Sequence, residues 1–175
     1  TFAGMNNSLV IVGVLIGGIL VVWRMWRSPK QRPPTTPFPA NWREILQLKV
    51  PFYQGLTANE QQRFEIKVQT FLLNYRITGV QVEITDVDRL LVASSAIIPV
   101  FYFENWEYTN LTEVLIYPNA FNENYELHQK GNRILGMVGT GPMEGKMILS
   151  REALLHGFQN ETDKKNTAIH EFVHL

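Results

Sequence analysis

Cysteine is absent from the 175 residues, which excludes disulfides and thiolate-held metal centres and fits a reducing compartment. Net charge is absent as well. Sixteen Lys and Arg balance 16 Asp and Glu, so no basic surface for direct nucleic-acid binding is expected. No Lys or Arg precedes the apolar run at residues 9–22, which argues against a secretory signal peptide, whose first region is basic. The glycine-rich run GTGPMEG at residues 139–145 is not followed by GK[ST], and that excludes a phosphate loop. Histidine is scarce, with four in the chain, at positions 128, 156, 170 and 174. Two of the four stand one helical turn apart.

The run from Leu9 to Val22, LVIVGVLIGGILVV, carries no charged or polar side chain. At 1.5 Å per residue it covers about 21 Å, less than a hydrocarbon core of about 30 Å, so flanking residues must contribute to a span. Residues 5–27 are therefore expected to form one transmembrane helix. A buried core helix of this length is the alternative, but Trp and Arg at one end and a proline-rich strip beyond suit a membrane anchor better. Arg24, Arg27, Lys30 and Arg32 follow the run, which places the carboxy-terminal side in the cytoplasm by the positive-inside rule. The expected location is the bacterial inner membrane, single-pass, with the following domain facing the cytoplasm. Gly13 and Gly17 form a GxxxG pair, a weak signal for close approach of two anchors.

Residues 28–41 open with SPKQRPPTTPFP, five prolines in 12 residues, an extended linker unable to form helix or sheet. The body, 42–175, mixes two periodicities. Helices are expected at 42–48, closed by Pro51; from the Thr57 to Glu60 capping box through a stripe of Phe64, Val68, Phe71, Leu72 and Tyr75; and at 87–98, closed by Pro99. Asp86, Asp88 and Arg89 near the start of the last resemble a catalytic cluster, but first-turn acids suit the helix dipole. Strands are expected at 80–84, 100–103, 114–117, 133–138 and 146–149, the last two joined as a hairpin. Ser150 is read as the cap of a short helix ended by Gly157, with His156 in its last turn in a structural role. Thr162 or Asp163 is read as the cap of the final helix.

That final helix holds His170-Glu171-Phe172-Val173-His174, the His-Glu-x-x-His pattern of zinc metallopeptidases. Residues four apart share a helix face, about 6 Å between Cβ atoms, so both imidazoles can converge on one tetrahedral Zn²⁺. Glu171 projects from the flank, within reach of a water on the metal. Zinc lowers the pKa of such a water to about 7, and the carboxylate can then act as general base. All other residues from Ala168 to Leu175 are apolar, so the helix reads as buried on most sides, where unpaired imidazoles would cost several kcal/mol. A catalytic zinc takes three protein ligands, and neither His128 nor His156 sits in a ligand motif. The third ligand is expected beyond Leu175, and the domain reads as incomplete at its carboxy terminus.

Laid out in this order, residues 42–175 resemble the Mlc titration factor A family of glucose-regulated zinc metallopeptidases. The resemblance rests on Pro51-Phe52-Tyr53 with Leu56, ITDVDRLLVASSAIIPVF at 84–101, VLIYP at 114–118, LLHGF at 154–158 and NTAIHEFVHL at 166–175. It implies an α+β, gluzincin-type zincin fold similar to the catalytic domain of anthrax lethal factor. His170 and His174 would be metal ligands, Glu171 the general base, and a downstream Glu and Tyr would complete the site. In zincins an edge strand holds the substrate backbone, here 146–149 or 133–138. The membrane anchor departs from the soluble family pattern and leaves open whether a transcriptional repressor is a partner.

Three functions compete. The first is a membrane-anchored, zinc-dependent peptidase acting on a peptide or protein substrate through a zinc-bound water and Glu171. The second is a non-catalytic zincin-like binding module that sequesters a transcriptional regulator. The third is a structural membrane protein in which the His-Glu-x-x-His pattern is accidental.

Overall fold

The structure is a computed structural model that describes residues 12, 17, 31–104, 106–119, 136–139, 143–159 and 166–175. The chain divides into two compact units, Thr1–Gln31 and Arg32–Leu175. In the first, Val12 and Gly17 are helical, and the rest of the expected anchor lies outside the described residues. Among the described residues no helix is long and apolar enough to cross a membrane.

The second unit is a mixed α+β fold. Its elements are α1 (Ala40–Lys49), α2 (Pro51–Gln54), α3 (Ala58–Asn74), β1 (Arg76–Gly79), α4 (Asp86–Ile97), β2 (Glu113–Tyr117), β3 (Gly136–Val138), β4 (Lys146–Ser150), α5 (Arg151–Gln159) and α6 (Thr167–Val173). The strand order is β1-β2-β4-β3. β1, β2 and β4 run parallel, and β3 returns antiparallel to β4, so the expected hairpin is present.

Local chemistry explains most helix starts. Pro51 ends α1 as expected, with Val50 before it in extended backbone, and it also opens α2 at its first turn, where a missing N–H is harmless. The carboxylate of Glu60 accepts from the Thr57 amide at 3.0 Å and hydroxyl at 2.7 Å, which starts α3. α4 is buried at nine of its 12 positions, and its Ala and Ser residues let neighbouring helices approach. One face of the sheet, carrying Val114, Ile116, Met147 and Leu149, joins the core with Phe64, Val68, Phe71, Leu90 and Leu91.

The proline-rich stretch lies along α3 from Arg32 onward. Asn74 brackets Arg32, accepting from its amide at 2.9 Å and donating to its carbonyl at 3.0 Å, while Gln69 donates to the Thr36 carbonyl at 3.3 Å.

Three expectations are corrected. The strand placed at 80–84 is absent; β1 lies at Arg76–Gly79, because pairing with β2, Ile77 opposite Val114, fixes the register. Val82 and Ile84 still pack on the core, but from a loop in which Gln81 takes a φ of 59°. The strand at 100–103 is instead a 3₁₀ turn, Ile98–Val100, extending α4. Phe101 is buried there while Tyr102 and Phe103 are exposed, so the aromatics that suggested a strand straddle a turn. Gly157 does not end α5, which runs to Gln159. A Cβ at Gly157 would lie 2.9 Å from Cγ of Asn166, so the glycine permits close approach of the next element. Ser150 does cap α5, accepting from the Ala153 amide at 3.3 Å.

Candidate metal centre

The site is built on α6, whose two faces separate by residue spacing. Ala168 and Phe172, four apart, point inward and are 1% and 2% exposed. Phe172 fits an aromatic box, with ring centroids 5.8 Å from Phe71 and 5.4 Å from Tyr108. Tyr108 is itself fixed by its hydroxyl, which donates to the Ala96 carbonyl at 2.7 Å; burial raises its pKa. His170 and His174, offset by two residues from the inward pair, face outward and are exposed. The expectation that this helix is buried on most sides is therefore corrected, since Val173 is 65% exposed.

The cap is Asn166 rather than Thr162 or Asp163, which lie outside the described residues. Its side-chain oxygen accepts from the Ile169 amide at 3.1 Å, and its Nδ2 donates to the Gly157 carbonyl at 3.1 Å. One side chain thus starts α6 and ties it to α5.

The two imidazoles converge. Their Nε2 atoms are 3.1 Å apart, with ring centroids 4.5 Å apart and planes at 90°. A tetrahedral zinc with Zn–N bonds of about 2.0–2.1 Å needs two nitrogens about 3.3 Å apart. The observed pair meets that requirement with a shift of a few tenths of an ångström, so the donor set fits a zinc ion as two of its ligands. Among the described residues no group of three His, Cys, Asp or Glu could hold a metal. His156 is exposed on α5 and joins no such group, and His128 lies outside the described residues.

Glu171 sits between the two faces, partly buried, against β3. A Cβ built at Gly136 would lie 2.8 Å from Cγ of Glu171. Of the two candidate substrate strands, β4 is paired on both sides and only β3 is an edge among the described residues. The Gly139 amide donates to the Lys146 carbonyl at 2.8 Å. Antiparallel pairs alternate between bonded and non-bonded; with Val138 opposite Met147 and Gly136 opposite Leu149, the backbone groups of Gly136 and Val138 face the open side.

Two ion pairs, each with a buried carboxylate, escaped sequence reading. Asp88 is fully buried and receives Arg151 Nε at 2.8 Å and Nη2 at 2.9 Å. It also accepts from the Thr85 amide and hydroxyl. Burial alone would raise its pKa, but these donors outweigh it and hold the carboxyl below its ordinary value. Asp88 is thus neither catalytic nor merely a helix-dipole residue, whereas its neighbour Asp86 accepts from the Trp42 indole at 3.0 Å. The second pair joins Arg43 to Glu65 at 2.7 and 2.8 Å, with the Tyr53 hydroxyl donating to Glu65 at 2.6 Å. Burial and the Glu65 charge push the Tyr53 phenol up to about 12. The Thr-x-x-Asp spacing at residues 85–88 was the available signal for the first pair; nothing local marks the second.

The uncharacterized protein slr2042 of Synechocystis sp. is 27% identical over 185 residues, an alignment covering 97% of this chain and 65% of that protein. The chain thus spans just under two thirds of that relative's length. Residues 23–175 match the family of the glucose-regulated metallo-peptidase M90, and this match takes in α6 together with every other element of the second unit. By that match the chain belongs to the glucose-regulated metallopeptidase family of Mlc titration factor A.

Proposed function

We propose that the chain carries the metal-binding helix and substrate strand of a membrane-anchored, zinc-dependent peptidase of zincin-like fold. The observation that carries the reading is the convergence of the His170 and His174 Nε2 atoms at 3.1 Å on one exposed helix face. Family membership supports a metallopeptidase-related function with a metal cofactor. Zinc bound there would act as a Lewis acid and make a coordinated water acidic enough to attack near neutral pH.

The residues of the chain supply the rest. His170 and His174 hold the metal through Nε2, and Phe172 keeps both imidazoles facing solvent by anchoring the opposite side of α6. Glu171 takes a proton from the attacking water and returns it to the leaving amine. The outward backbone groups of Gly136 and Val138 pair with an extended substrate peptide, adding it as a further strand at the β3 edge. The substrate is then a peptide or protein segment able to extend. The run at residues 9–22 would anchor the enzyme in the inner membrane with the peptidase unit on the cytoplasmic side.

The test is hydrolysis of fluorescein-labelled casein by the full-length protein and its Glu171→Gln variant. The reading expects zinc uptake retained and hydrolysis lost. Equal hydrolysis by both proteins would remove Glu171 from the mechanism. A wild type that takes up zinc but does not cleave, while still capturing a regulator protein, would favour the binding module.

A further inference from the structure

We infer that Gly136 is a positioning residue, whose missing side chain sets the carboxylate of Glu171 in its working place beside the substrate edge. The inference rests on the peptidase reading and deepens it. Three side chains crowd the point where a Cβ would stand: Cγ of Glu171 at 2.8 Å, Cδ2 of Leu149 at 3.1 Å and Cγ2 of Thr167 at 3.1 Å. The leucine and threonine contacts are tight but end in methyl groups that can turn away. The Glu171 contact is closer than real Cβ contacts come, and the atom is mid-chain, so relief means moving the carboxylate.

The same residue faces the open side of β3 with its N–H and C=O. Gly136 thus does two things at one point: it lets the general base lie against the strand, and it offers that base's nearest backbone pairing site to the substrate. A side chain at 136 would push the carboxylate off its line while leaving the imidazoles, on the outer face, where they are. A substrate residue paired opposite Gly136 must bring its own amide and carbonyl, so the substrate class is an extended peptide without proline at that position.

The test uses four full-length proteins: wild type, Gly136→Ala, Glu171→Ala and the double variant. Melted in chelator, Gly136→Ala is expected to lower the midpoint, and the Glu171→Ala background to restore most of that loss, because the obstructing Cγ is gone. Equal losses in both backgrounds would overturn the inference. Should Gly136→Ala fail to fold, the double variant is expected to fold; its failure too would overturn it. With zinc added, Gly136→Ala is expected to bind the metal as wild type does. Its kcat on labelled casein should fall about 100-fold, the scale of an ångström's misplacement, with KM little changed. An unchanged kcat would overturn the inference. The thermal cycle needs no activity, so loss of the peptidase reading through Glu171→Gln would leave the steric coupling of residues 136 and 171 intact and separately measured.

Discussion

Single residues hold this site through contacts that lie away from it. Asp88 joins the start of α4 to the start of α5 through Arg151, and its side chain is fully buried. Removing Arg151 leaves that carboxylate without its main partner, and Arg151→Ala is expected to cost about 3 kcal/mol by denaturant unfolding at pH 7. The pH dependence follows in sign. The folded pKa lies below the ordinary 3.8, so the contribution is present above that value and is lost as pH falls through the lower folded value. The gap between wild type and Arg151→Ala should therefore close as pH drops below about 4, and a gap that stays constant would contradict the pairing. The pair was not readable because its members are 63 positions apart, and only the Thr85 cap left a local trace. The convergence of His170 and His174 was readable because it is set within a single helical turn.

At the scale of elements, α6 is a helix of seven residues, too short to be stable by itself. Its position comes from Phe172 in the aromatic box and from Asn166 at its start. Phe172→Ala is expected to cost about 3–5 kcal/mol and to weaken zinc binding with it, read by thermal melting and zinc titration of the same protein. Asn166→Ala removes a cap and a tie to α5, for about 1–2 kcal/mol. Elements were legible where their signals are local. The Thr57 to Glu60 capping box started α3 as expected, and the hairpin of β3 and β4 followed from its glycine-rich turn. β1 was misplaced because a four-residue strand takes its limits from its partner, and the alternating residues at 80–84 supplied a stronger local pattern than the true strand. That β3 rather than β4 is the edge depends on strand order, which no stretch of sequence carries. Gly157 misled because a glycine that ends a helix and a glycine that admits a neighbour look the same in one dimension.

For the whole molecule, family membership and an α+β unit from Arg32 onward are in hand, and the membrane attachment proposed for residues 9–22 has its own test. Deleting residues 1–27 from the full-length protein should move it from the membrane pellet to the supernatant after alkaline washing, and persistence in the pellet would contradict the anchor. The central claim is that His170 and His174 grip a metal used for hydrolysis. It is tested most directly by metal analysis of the full-length protein purified without chelator, beside its His170→Ala and His174→Ala variants. Zinc near one equivalent in the wild type, about the content of a single catalytic site, and its loss in both variants is the expected result; a wild type without bound zinc, or variants that retain it, would contradict the claim.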